Sequence, residues 1–279
     1  MSMPVGPIGL CTDSNSQLPP ELAERFGVEI VPLTVIVDDQ EYLEGIDLDP
    51  DSFYALYADG AAPATRWVEP SAGQFAAAYE DLAAKGCSQI LSIHTSLASC
   101  SIVRAARLAA HNSPVPVRLI DSGTARFGVG CCVWAAGDAI AAGATIDQAA
   151  TIAESLAPAI GNVFIVSGLD LVPDMLGTAM RSDHSRAVLT IEAGQIEVLT
   201  RIETMVDAVN SMASYVLDWG DRLNVAIGVA HNDAWPMAEA LGHAIGEAAS
   251  VNEVVHYRIS PSVGVETGPG TVGCVVYPA

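Results

Sequence analysis

The chain has 279 residues, and its 12 basic and 33 acidic side chains give a formal net charge of −21. Nucleic acids and anionic membranes are bound through clustered Lys and Arg, yet the sequence has a single lysine, Lys85, and no basic run. No apolar run reaches the roughly 18 to 20 residues of a membrane-spanning helix. We therefore expect no nucleic-acid partner and no membrane insertion. Two explanations of the acidity stay open. It reflects a high-GC genome or a salty cytoplasm, or it forms an acidic docking face for a basic partner.

Two features of the sequence, its amino-terminal residues and its cysteines, bear on the cellular compartment. Residues 1–11 lack the basic region and the continuous apolar region of an export signal. The six cysteines form no CxxC motif, and most are flanked by apolar residues, which favours reduced thiols in a core. We expect a cytoplasmic protein.

The first half of the chain alternates strands with helices. Buried strands are predicted over residues 5–11, 28–37, 89–94 and the segment "VPVRLI". Helices are predicted over residues 22–26, from the Asp49-Pro50 signal to Gly60, over 74–85, up to Asn112, and over 131–142 and 146–157. This alternation is typical of a parallel sheet covered by helices.

The pattern changes after Gly168, where short strands and two helices are separated by turns. Strands are predicted in "AVLTI", "QIEVLTRI", "NVAIGVA", "EVVHYRI" and "TVGCVVY", and helices over about 204–219 and 234–249. The segment "GVETGPGTVGCVVYP" at residues 264–278 is interpreted as a turn dense with glycine and proline, with the Glu266 carboxylate at its mouth and an apolar strand behind it. We predict an α/β protein with two domains, residues 1–160 with a parallel sheet and residues 161–279 with a mixed sheet.

Hydroxyl-rich segments follow three predicted strands of the first domain, at residues 12–16, 94–101 and 121–124. Ligands of parallel sheets collect where strands end and helices begin, and free backbone N–H groups there suit a polar or anionic head group. Ser, Thr and Asp are also the ordinary caps of helices. Three such segments at one sheet edge favour a binding site.

Motifs of the common enzyme classes are missing. The sequence has no GxSxG, P-loop or HExxH motif, and "GVG" at 128–130 lacks the third glycine of a dinucleotide fingerprint. The histidines show no metal-ligand spacing. We predict no catalytic residue, no metal and no cofactor.

Several segments resemble the DegV family of bacterial lipid-binding proteins. These are "TDSNSQLPPELAERFGVEIVPLTVIVDDQEYLEGIDLDPDSFY", "EPSAGQFAAAYEDL", "LIDSGTARFGVG" and the terminal "TGPGTVG". The resemblance implies a two-domain protein that holds one long-chain fatty acid or related lipid between its domains. It implies a carrier without chemistry of its own, which presents the acid to a separate kinase partner.

The resemblance also implies the residues that bind the ligand. Asp13, Ser14, Asp121 and Ser122 match the family as structural loop formers. The expected ligand-binding residues are Thr65, Arg66, Thr95, Ser96, Ser99, Ser101, Arg126, Glu266, Thr267 and Gly268.

This sequence departs from the family at the head-group position. Glu266 replaces the family's terminal histidine, Glu203 stands where a basic residue is expected, and "VPDMLGTAMRSD" replaces a Gly-Gly-Arg loop. Two like charges about 4 Å apart repel by roughly 4 kcal/mol at an effective dielectric of about 20. Glu266 is therefore expected to be protonated, to be neutralised by Arg126 or Arg66, or to face an uncharged head group. Otherwise it points to solvent beside a decayed site.

Two other functions stay open from the sequence. The dihydroxyacetone kinase substrate subunit has a similar fold, and a small-molecule function of that type, or an enzyme, would need a histidine at a strand end. His94 is the candidate for that role. The third reading is a degenerate family member that acts through protein contacts.

Overall fold

The computed structural model describes residues 6–58, 63–96, 100–166, 186–192, 195–248 and 250–279. The chain divides into two compact units, residues 1–47 with 66–158 and residues 48–65 with 159–279. The sequence-based division at residue 160 places residues 48–65 in the first domain, whereas the contacts place them in the second unit.

The secondary structure follows the chain in this order. The strands are β1 (Ile8–Asp13), β2 (Val28–Val31), β3 (Thr34–Val37), β4 (Gln40–Leu43), β5 (Thr65–Val68), β6 (Gln89–His94), β7 (Val117–Asp121), β8 (Gly161–Ile165), β9 (Arg186–Glu192), β10 (Gln195–Ile202), β11 (Leu223–Val229), β12 (Val251–Arg258) and β13 (Val272–Pro278). The helices are α1 (Pro20–Phe26), α2 (Pro50–Ala55), α3 (Ala72–Ala84), α4 (Ile102–Ala110), α5 (Phe127–Ala141), α6 (Ile146–Leu156), α7 (Met205–Leu217), α8 (Trp235–Gly246) and α9 (Pro261–Thr267).

The first unit is built on a parallel sheet with the strand order β2-β1-β6-β7. Helices α3 and α4 pack over one face, where Phe75, Tyr79 and Leu82 join Cys11 and Ile90 in one apolar cluster. Helix α5 packs on β1 and β6 and also contacts α1 and α6. The sheet is therefore covered by helices, as the alternating pattern predicts.

Local sequence signals set several helix ends of this unit. Pro20 opens α1, and Gly27 ends it with a φ of 62°, a value that favours glycine. Ser71 and Gln74 form a capping box at the start of α3. Asp38 and Asp39, with φ values of 46° and 67°, form the tight turn between β3 and β4.

The second unit is built on a mixed sheet with the strand order β10-β9-β8-β13-β11-β12. Its pairs are antiparallel except for the parallel pair of β11 and β12. Helices α7 and α8 cover this sheet, and Met212, Val216 and Leu241 lie in its core. The mixed α/β fold class predicted from the sequence is confirmed. Within the described ranges, no helix is long and apolar enough to cross a bilayer.

Helix α9 is an element that the sequence analysis did not predict. Pro261–Thr267 is a helix that begins with proline and ends at Gly268, which has a φ of 76°. The predicted turn before the last strand follows it, at residues 269–270. A Cβ added to Gly264 would lie 2.5 Å from Tyr54 Oη and 2.7 Å from Phe53 Cε1. Gly264 therefore serves the close packing of α9 on α2, not a turn.

Candidate functional site

The three hydroxyl-rich segments lie at one edge of the parallel sheet. Strands β1, β6 and β7 run in the same direction and end at Asp13, His94 and Asp121, and His94 pairs with Asp121 in the register. Their carboxyl ends therefore bring residues 14–16, 95–96, 100–101 and 122–126 to the edge where ligands of such sheets bind. We call this the carboxyl edge of the first sheet.

Asn15 connects the three strand ends. Its Oδ1 atom accepts hydrogen bonds from Thr95 Oγ1 at 3.1 Å and from the Arg126 backbone N–H at 3.3 Å. Its own backbone N–H donates to Asp13 Oδ1 at 3.1 Å. Asn15 is 8% exposed and Thr95 is 3% exposed. Two predicted ligand-binding residues, Thr95 and Arg126, thus meet at a third residue that the sequence analysis did not name.

The loops of this edge are held by further hydrogen bonds. Ser96 N donates to Thr124 O at 2.9 Å, and Ser122 N donates to His94 O at 3.1 Å. Asp121 Oδ1 accepts from Gly123 N, and Ser122 Oγ accepts from Thr124 N. Ser14 Oγ accepts from Leu33 N and donates to Glu44. The prediction that Asp13, Ser14, Asp121 and Ser122 form the loops is confirmed.

A chain of buried polar side chains lies behind this edge. His94 Nδ1 is 2.8 Å from Asp13 Oδ2, His94 Nε2 is 2.7 Å from Ser92 Oγ, and Ser92 Oγ is 3.0 Å from Tyr79 Oη. An ionised carboxylate only accepts, so Nδ1 carries a hydrogen. The order carboxylate, imidazole, hydroxyl matches a hydrolase triad, but Asp13, Ser92 and His94 are all completely buried. The chain therefore joins strands and offers no hydroxyl to a substrate.

The electrostatic environment of the edge is acidic. Burial raises the pKa of the half-buried Cys100 thiol to about 11, and the charges of Asp13, Glu69 and Asp121 add to this effect. Burial also raises the pKa of Cys11 to about 12. These thiols are protonated at neutral pH and are not poised as nucleophiles.

Ser101 and its neighbours show how the predicted serine loop is used. Ser101 N donates to Glu69 Oε1 at 2.8 Å, and Ser101 Oγ donates to the other oxygen of the same carboxylate. The Glu69 side chain therefore holds the start of α4. Cys100 N donates to Ser96 O at 3.2 Å. Ser99 lies outside the described residues.

The other predicted residues lie elsewhere in the chain. Arg66 is exposed on β5, and Thr65 Oγ1 is 3.5 Å from Tyr57 Oη. Glu266 is partly buried in the last turn of α9, and Thr267 Oγ1 donates to Val263 O at 3.1 Å within that helix. Thr65, Glu266, Thr267 and Gly268 belong to the second unit, whereas Arg66, Thr95, Ser96, Ser101 and Arg126 belong to the first.

Two further features of the described residues concern ligands. No group of three or more His, Cys, Asp or Glu side chains among them is arranged to hold a metal ion. A pocket of about 360 Å³ in the second unit is lined mainly by apolar side chains, including Ile165, Ile202 and Met205, together with Arg186 and His231. We assign this pocket no ligand.

Asn15 and Glu69 are the polar residues of this edge that the sequence analysis missed. Asn15 lies within the segment 12–16 that was singled out, so its position after a buried strand was the available signal. Glu69 is 32 residues from Ser101, and no local pattern connects them.

The comparisons with known proteins agree over nearly the whole chain. The family model described as "Uncharacterised protein, DegV family" matches residues 7–279. A DegV domain-containing protein of Streptomyces coelicolor is 32% identical over 276 residues, which cover 96% of this chain and 98% of that relative. One of Mycobacterium tuberculosis is 29% identical over 279 residues, which cover 95% of each chain.

Solved structures give the same result for the fold. The structure described as "Fatty Acid Binding of a DegV family Protein from Thermus thermophilus" is 26% identical, has a TM-score of 0.85, and covers 98% of this chain and 100% of its own. DegV of Bacillus subtilis, described as a fatty acid binding protein, is 21% identical and has a TM-score of 0.82. The match covers 98% of this chain and 100% of that protein. At that identity the similarity shows the fold alone. The chain described above belongs to the DegV family.

Proposed function

We propose that this protein binds one long-chain fatty acid, or a related apolar ligand with a small polar head, and carries it without chemical change. The observation that carries the proposal is the full-length similarity to the Thermus thermophilus protein, whose description states fatty acid binding. The Thr95 and Ser96 side chains at the carboxyl edge of the first sheet support it, because such hydroxyl groups suit a small oxygen-containing head group.

The proposed head-group contacts of the first unit are Thr95, Ser96 and Arg126. Thr95 and Arg126 meet at Asn15, and Ser96 follows directly in the loop after β6. We leave Ser101 out of this set because its hydroxyl and its backbone N–H both donate to Glu69. From the family match, Glu266, Thr267 and Gly268 are proposed as the contribution of the second unit.

A carrier role fits the described residues better than the small-molecule alternative. Covalent attachment of a substrate would need an accessible imidazole nitrogen, and His94 is completely buried with its two ring nitrogens beside Asp13 and Ser92. The position of the acyl chain between the two domains and the kinase-type partner rest on the sequence resemblance, and the cytoplasmic location is a separate expectation from the sequence. All three belong to the proposal.

Displacement of a fluorescent fatty acid tests the proposed function. The purified protein is delipidated, loaded with cis-parinaric acid, and titrated with oleate and with hexanoate as the short-chain control. Burial of each CH₂ contributes about 0.8 kcal/mol, so oleate should displace the probe and hexanoate should not. Absence of parinarate binding to the folded, delipidated protein would reject the proposal.

A further inference from the structure

The orientation of the Asn15 carboxamide is fixed by its neighbours. The Arg126 backbone N–H only donates, so the atom 3.3 Å from it must be the amide oxygen and not the amide nitrogen. Thr95 Oγ1 lies 3.1 Å from the same oxygen and therefore also donates to it. Both lone pairs of Oδ1 are then occupied, and the NH₂ group lies on the other arm of the carboxamide.

The amide nitrogen of Asn15 has no hydrogen-bond partner among the described residues. The residue Asn15 is more than nine-tenths buried, with 8% of its surface exposed. The Asn15 contacts are those of its backbone N–H and of Oδ1, and Nδ2 is not among the fully enclosed unsatisfied atoms. A buried amide that keeps two unused donors at solvent contact is suited to a ligand atom that accepts.

The hydroxyl of Thr95 has the opposite property. A threonine hydroxyl has one hydrogen, and in Thr95 that hydrogen is used by Asn15 Oδ1. Thr95 can therefore accept from a ligand but cannot donate to one while this arrangement persists. The resemblance assigned head-group recognition to Thr95, but the available donor at this position belongs to Asn15.

We propose that Asn15 Nδ2 donates a hydrogen bond to an oxygen atom of the ligand's polar head. Besides their proposed contacts with the head group, Thr95 and the Arg126 backbone N–H position this donor, because they hold the carboxamide in the orientation that presents its nitrogen. The inference rests on the proposed function and adds to it the residue that supplies the donor. Carboxylate, carboxylic acid, ester and amide head groups all carry the required acceptor oxygen.

The substitution Asn15→Asp tests this directly, since it keeps the oxygen that Thr95 and Arg126 need and replaces the donor with an acceptor. The matched control is Asn162→Asp in β8, where the retained Oδ1 likewise accepts a backbone N–H, from Ile191 at 3.0 Å. With the parinarate assay, Asn15→Asp should weaken oleate binding about tenfold or more. Asn162→Asp should leave it within about twofold of the unsubstituted protein.

The outcomes separate this inference from the proposed function. If the unsubstituted protein binds oleate and Asn15→Asp binds it equally well, the inference is wrong and the proposed function stands. The inference is also wrong if Thr95→Val abolishes binding while Asn15→Asp does not. If the unsubstituted protein binds no long-chain probe, the proposed function is rejected and the inference with it.

A second measurement does not depend on the folding of a variant. The side-chain amide signals of Asn15 in a ¹H–¹⁵N spectrum of the unsubstituted protein should shift on addition of oleate and saturate with it. Those of Asn162 should stay in place. Unshifted Asn15 amide signals in the oleate-saturated protein would overturn the proposal.

Discussion

Asp13 Oδ2 lies 2.8 Å from His94 Nδ1, and both side chains are completely buried. This pair joins the last residue of β1 to the last residue of β6, which are 81 positions apart in the chain. The other carboxylate oxygen of Asp13, Oδ1, accepts a hydrogen bond from the backbone N–H of Asn15. The pair therefore supports the residue that organises the carboxyl edge of the first sheet.

Removal of the His94 imidazole should strongly destabilise the protein. His94→Ala leaves the Asp13 carboxylate buried without its imidazole partner and removes the edge contact with Phe75, whose ring centroid is 5.0 Å from that of His94. Loss of one partner of a buried pair costs about 3 kcal/mol or more. The free energy of unfolding in urea measures this change.

His243→Ala is the control for His94→Ala. The His243 side chain is 78% exposed and lies on α8, so its removal should change the free energy of unfolding by less than about 0.5 kcal/mol. A loss below about 1 kcal/mol for His94→Ala would contradict the supporting role of the pair.

Gly264→Ala should destabilise the packing of α9 on α2. The added Cβ would lie 2.5 Å from Tyr54 Oη, and Tyr54 is held by a 3.1 Å hydrogen bond to Ile259 O and is 1% exposed. Overpacking of this kind costs about 1 to 3 kcal/mol. Gly246→Ala at the end of α8 meets no atom within 4 Å and should be neutral or slightly stabilising in the same unfolding experiment. Equal stability of the two variants would contradict this account of Gly264.

The thiol of Cys100 should react slowly with iodoacetamide. Its pKa is raised from 9.0 to about 11 by burial and by neighbouring carboxylates, so the folded protein carries about 100-fold less thiolate at pH 8 than the urea-unfolded chain. Below this pKa the thiolate fraction rises about tenfold for each pH unit, so the alkylation rate should rise by the same factor up to about pH 11. Peptide mass spectrometry measures the rate.

Asp121→Asn tests how far neighbouring negative charge raises the pKa of Cys100. The Asp121 charge raises the pKa of Cys100, so its removal should lower that pKa and speed alkylation. Equal rates at Cys100 in the folded and unfolded chains would contradict the raised pKa.

Glu266→Gln tests the departure from the family at the head-group position. If an ionised Glu266 lies beside an anionic head, its neutral isostere should strengthen oleate binding about tenfold or more at pH 7.5, because a like-charge repulsion is removed. Binding of oleamide, which is uncharged, should change by less than about twofold. Equal affinity of both proteins for oleate would show that Glu266 carries no such repulsion.

Local signals predicted much of the fold. Strands β6 and β10 lie at the predicted residues, because buried alternating or apolar segments are bounded there by turn residues. Helix α5 begins at Phe127, four residues before the predicted start at Cys131. A Cβ on Gly130 would lie 2.6 Å from Ser16 O. Glycine is needed at this position because the helix packs closely on residue 16, and such a long-range contact cannot be inferred from the neighbouring sequence.

The candidate site was predictable only in part. The parallel sheet brings the three hydroxyl-rich segments to one edge, and this follows from the alternation of strands and helices. The partners of individual side chains do not follow, because Asn15 meets Thr95 across 80 positions and Arg126 across 111. Whether a hydroxyl is free or already bonded depends on such long-range contacts.

Native mass spectrometry of the protein after gentle purification from a bacterial host tests the central claim most directly. The account predicts a complex with one long-chain fatty acid or similar lipid per chain, released on denaturation and identified by its mass. A protein that carries no lipid, and whose melting temperature no long-chain fatty acid raises, would contradict it.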